Sequence, residues 1–108
     1  MSYVNIVEKF QTACESIIEE SFALCIDHNT TAAQWEKVDK RLIRAQGVIT
    51  TTSFNVDFSG KNAGHVSLGE MEAMVAAYDH TTSVVASYKE NWEGLVIRAH
   101  IASKIEEI

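Results

Sequence analysis

The residues of this chain that could do chemistry are four histidines, two cysteines and a group of four closely spaced cations. His28, His65, His80 and His100 stand 37, 15 and 20 residues apart, so no two share a helical turn at the i, i+3 or i, i+4 spacing of a local metal site. The residues three before them are Cys25, Asn62, Ala77 and Ile97, which leaves out the Glu-x-x-His pair of di-iron helical bundles. A metal would have to be assembled from residues distant in sequence, and no metal or cofactor is expected. Cys14 and Cys25 lie 11 residues apart; on one helix they share a face about 16 Å from each other and cannot form a disulfide. Cys14 falls on an apolar stripe, where a thiol acts as a small hydrophobe and not as a nucleophile.

No serine sits in a Gly-x-Ser-x-Gly frame, so the nucleophile elbow of a hydrolase is not present in the sequence. Ser59-Gly60-Lys61-Asn62 has the Gly-Lys of a phosphate loop. Asn55 replaces its first glycine, and Asn62 replaces the Ser or Thr that would hold magnesium, so the segment reads as a connector. Lys37, Lys40, Arg41 and Arg44 fall on one side of a helix, opposite Trp35, Val38 and Leu42. Such a stripe can grip phosphates or an acidic protein surface, or pair with Glu8, Glu15 and Glu19 of a second copy. The plain alternative is a solvated face. Neighbouring Asp39 and the net negative chain argue against nucleic acid, which repels acidic proteins.

These residues need elements to hold them. From Tyr3 to about Asp27, Ile6, Val7, Phe10, Cys14, Ile17, Ile18, Leu24 and Cys25 recur at three- and four-residue spacing, which predicts an amphipathic helix with Ser2 as N-cap. At about 25 residues it would span roughly 37 Å, more than the width of a compact globule of this mass. Asp27 to Thr30 supply a turn, and Thr31 with Gln34 forms a capping box for a second helix over about 32–46, ended by Gly47. Thr50 to Thr52 and the alternation of Phe54, Val56 and Phe58 predict a short β-hairpin or an irregular excursion around 48–66. Ser67 with Glu70 caps a third helix whose core positions are expected at Leu68, Met71, Val75, Tyr78, Thr82 and Val85. Gly94 is expected to kink or break it. Trp92-Glu93-Gly94 has the Trp-x-Gly form found in small helical-hairpin substrates of type VII secretion. In that family the motif occupies a mid-chain turn, whereas here only 14 residues follow it, and the resemblance is not adopted.

Composition fits this picture: 108 residues without proline, 46% hydrophobic and 22% charged, suit one mainly α domain over 1–108, a small bundle of three to four helices. The net charge of −6 is distributed by element, with −4 over 2–28, +2 over 29–47 and −4 over 67–93. No secretory leader or membrane span is read, and a cytoplasmic location is expected. The last helix carries the strongest functional signal. Tyr88, Trp92, Leu95, Ala99 and Ala102 lie on one side, while Ile97, Ile101, Ile105 and Ile108 lie roughly on the other, and a terminal helix of a monomer needs to bury only one stripe. Either the bundle covers both sides itself or the isoleucine face is an interface with another copy. The expected function is a non-enzymatic interaction protein (inhibitor, adaptor or assembly subunit) that binds another protein or macromolecular complex as a homo-oligomer. Competing classes are a small-molecule binder or enzyme using Tyr78, His80, Trp92 or His100 in a pocket between helices, and a nucleic-acid accessory using the cationic stripe.

Overall fold

A computed structural model describes residues 3–57 and 66–107. Three helices carry the architecture: α1 (Tyr3–Cys25), α2 (Ala32–Ser53) and α3 (Leu68–Glu106). Two strands of two residues each, β1 (Val56–Asp57) and β2 (Val66–Ser67), pair in parallel with Val56 opposite Val66. Parallel pairing is not a hairpin, so the irregular excursion is the alternative that applies. Ser2, Phe58, Ser59 to His65 and Ile108 lie outside the described residues.

α1 and α2 form an antiparallel hairpin across a turn held by Asp27 and Thr30. The Asn29 amide donates to Asp27 Oδ1 (2.9 Å), the Thr30 amide to Asp27 O (3.1 Å), and Thr30 Oγ1 to Leu24 O (2.9 Å). The last of these uses the Leu24 carbonyl, one of those that the end of α1 leaves without an intrahelical partner. The Thr31 capping box is complete, with the Thr31 amide donating to Gln34 Oε1 (2.7 Å) and the Gln34 amide to Thr31 Oγ1 (3.4 Å). At α3 the same motif joins Ser67 and Glu70, with both bonds at 3.2 Å. Both boxes stand where the sequence places them.

α2 does not stop at Gly47. A glycine inside a helix costs only about 1 kcal/mol, and Ile49, packed against the core one turn beyond Ala45, opposes that cost. Thr50 and Ser53 hydroxyls donate back to Gln46 O and Thr50 O, so the β-branched run that suggested a strand is absorbed into the helix end. Phe54 is the C-cap and is exposed. α3 likewise runs unbroken through Gly94.

α3 packs chiefly against α1. Two apolar clusters hold the bundle, each drawing on all three helices: Phe10, Cys14, Ala45 and Met74 in one, and Ile17, Cys25, Trp35, Val38 and Val85 in the other. Ser21 and Thr81, both buried, satisfy their hydroxyls on the carbonyls of Ile17 and Ala77 (2.8 and 2.7 Å). The buried line of α3 is Met71, Met74, Thr81 and Val85. Leu68 and Val75, expected in the core, are exposed. Met74 and Val75 offered two apolar registers one residue apart, and the helix takes the one that seats Met74.

The molecule is a rod of 72 × 17 × 17 Å with a radius of gyration of 18.6 Å, against about 13 Å for a compact domain of this length. The excess comes from α3. Its last residues in the packed clusters are Tyr88 and Trp92, and Glu93–Glu106 continue past the α1–α2 turn for about 21 Å. No described helix is long and apolar enough to cross a membrane.

Candidate functional site

The overhanging end of α3 is the surface the sequence singled out. Ile97, Ile101 and Ile105 are 59%, 51% and 64% exposed, so this chain does not cover both sides of its terminal helix itself. Leu95, Val96 and Ala99, on the side continuous with Trp92, are half-buried. The three isoleucines recur every fourth residue and make a stripe about 12 Å long on a helix with almost no net apolar side when averaged over its whole length. Ile108, expected to extend the stripe, lies outside the described residues.

The four cations of α2 do not stay together. Lys37, Lys40 and Arg44 are exposed, but Arg41 is half-buried against α1. Its guanidinium pairs with Glu20 and donates to Ser16 Oγ at 3.1 Å. Arg41 thus has an acidic partner within its own chain, at Glu20. The pair is partly solvated and contributes at most about 1 kcal/mol.

A groove of about 370 Å³ lies between α1 and α2. Ile6, Phe10, Ala13 and Ile17 from α1 and Ala45 and Val48 from α2 form its floor, with Lys9, Arg41 and Arg44 on its rim. No α3 residue lines it, which places it on the side of the hairpin that α3 leaves open. Among the described residues, neither Lys9 nor Arg44 makes an ion pair. Lys9 was not legible as a site residue; its signal was its place one turn before Ala13, on the same flank of α1 as Glu20.

The residues proposed for a small-molecule pocket are not brought to one place. Tyr78 packs on the cluster around Phe10, and Trp92 lies against Trp35 with ring centroids 5.8 Å apart. The indole nitrogens of Trp35 and Trp92 are both buried without a hydrogen-bond partner, so the pair is held by apolar and ring contacts. His80 faces a crevice of about 320 Å³ shared with Cys14 and Glu15, and His100 is exposed on the overhang. Among the described residues, no three His, Cys, Asp or Glu side chains come close enough to hold a metal ion. Both cysteines are buried and free, and burial pushes the Cys25 thiol above its ordinary pKa.

No protein-family model matches this chain, and neither a curated protein nor a solved structure shows significant similarity to it.

Proposed function

We propose that this chain is a cytoplasmic, non-enzymatic interaction protein, an inhibitor, adaptor or assembly subunit, that works as a homo-oligomer and binds another protein or macromolecular complex. One observation carries the reading: a helix of 39 residues runs past its bundle and presents Ile97, Ile101 and Ile105 to solvent. A free helical segment gains little stability from its own propensity, and an apolar face on it favours association. The exposed Lys37, Lys40 and Arg44 supply a cationic stripe on α2 that favours an acidic partner surface and sets its orientation more than its affinity. Two buried free thiols suit a reducing compartment.

Native mass spectrometry with light scattering tests the reading. The wild-type chain is expected at a multiple of 12.0 kDa, and Ile101→Asp, which places a charge in the centre of the stripe, is expected to give monomers with an unchanged helical circular-dichroism spectrum. Wild-type protein that stays monomeric at high micromolar concentration sinks the homo-oligomer.

A further inference from the structure

Among the described residues, neither an α3 side chain nor a carboxylate lines the groove between α1 and α2, although the chain as a whole carries a net charge of −6. We infer that this groove is the seat of a partner's helix: an acidic amphipathic segment of another protein, laid along the hairpin with its apolar face on the floor and its carboxylates at the rims. This names the class of partner for the binding reading above and rests on that reading, while it stands apart from the homo-oligomer built on the isoleucine stripe.

Length, depth and charge select that occupant. From Ile6 to Ile17 the floor runs about 17 Å, or about three helical turns, which admits an apolar row at i, i+4 and i+7. Its depth comes from Ala13 and Ala45, which, measured along their helices, stand at about the same level, roughly 18–20 Å from the α1–α2 turn. Two small side chains facing one another leave room for a large apolar anchor, with Phe10, Ile17 and Val48 around it. Lys9 stands on the α1 rim and Arg44 on the α2 rim; both are exposed, and neither makes an ion pair among the described residues. Arg41 is held by Glu20, so one cation on each side is left for the occupant. Lys37 and Lys40, exposed on α2, continue the cations toward the turn. Cations on both rims match a helix with carboxylates on both flanks of its apolar face. A fatty acid has a single head and would need the cations gathered at one point, and an open groove would leave one side of its chain in water. A helix instead covers the floor and keeps its own polar face in water. Nucleic acid would meet the cations and leave the apolar floor uncovered.

The probes are two dye-labelled, end-capped peptides of about 15 residues with leucine at i, i+4 and i+7, one bearing glutamate on both flanks and the other lysine. Fluorescence anisotropy reads their affinities. The wild-type chain is expected to bind the glutamate peptide at least about tenfold more tightly than the lysine peptide. Ala13→Gln, at an exposed helical position, fills the gap in the floor with neutral bulk and is expected to weaken that binding at least about tenfold. The double variant Lys9→Glu with Arg44→Glu is expected to reverse the preference, holding the lysine peptide and losing the glutamate one, a result that an unfolded chain cannot give. Equal binding of the two peptides, an affinity that Ala13→Gln leaves unchanged, or no binding at all overturns the inference. So does dodecanoate that binds where neither peptide does, which would give the groove to a small amphiphile. A glutamate peptide that disperses wild-type oligomers overturns it too, by giving the groove to a second copy. The two readings fail separately: a monomeric wild type that binds the glutamate peptide loses the homo-oligomer and keeps the groove's partner, and an oligomer that binds neither peptide loses the partner and keeps the homo-oligomer.

Discussion

At the scale of single residues, Cys25 gives the chain a pH dependence that can be read by its sign. The thiol closes α1 inside the cluster of Ile17, Trp35, Val38 and Val85, and loss of solvation there raises its pKa. A raised folded value means that the native state keeps the proton longer than the unfolded chain does. The stabilisation is therefore complete below the unfolded thiol's value of about 8.5 and is lost as pH rises through the higher folded one. Denaturation midpoints of the wild type are expected to fall between pH 8 and 9.5, and Cys25→Ala, whatever its cost in packing, is expected to flatten that slope. Equal slopes in the two proteins would show that the thiol does not ionise differently on folding. Burial of Cys14 was legible from its place on the α1 stripe, as was burial of Trp35 and Val38 from their distance to the Thr31 cap. The Arg41–Glu20 pair was not, because it depends on the rotation of one helix against another, which periodicity along either helix leaves open.

Helices were more legible at their starts than at their ends. Thr31-x-x-Gln34 and Ser67-x-x-Glu70 fix two N-termini through side chains that can bond only when the next turn is helical. Gly47 and Gly94 carry no such necessity. A glycine interrupts a helix only when nothing beyond it is worth packing, and at Gly47 the Ile49 contact exists. Gly94 has open space where a Cβ would sit and no left-handed backbone angle. Gly94→Ala is therefore expected to strengthen α3 by about 0.5–1 kcal/mol, read as a higher thermal midpoint and slower amide exchange over Val96–Ala102. A lower midpoint would show that a close approach at Gly94 occurs in solution and is absent from the single chain. The core register of α3 failed for a related reason: with Met74 and Val75 adjacent, the sequence allows two stripes, and the choice belongs to Phe10 and Cys14 on the opposing helix.

The shape of the whole molecule yields the most direct test of how two copies meet. Solitary rods of 72 Å that exchange both overhangs shorten their combined length by two overhang lengths, to about 100 Å. Antiparallel rods that touch only through their isoleucine stripes share a single overhang length and extend to about 120 Å. Small-angle scattering of the dimer is expected to give the longer maximum dimension, because Ile97, Ile101 and Ile105 lie on the side of α3 opposite Trp92 and would face away from the partner's hairpin in an exchanged dimer. The shorter particle would mean that the overhangs lie along the partner's hairpin and that the isoleucine stripes do not meet. Ile101→Asp cannot show where the partner's helix lies, since it reads only whether the stripe is needed. The particle's length can, because it depends on where the partner's helix comes to rest.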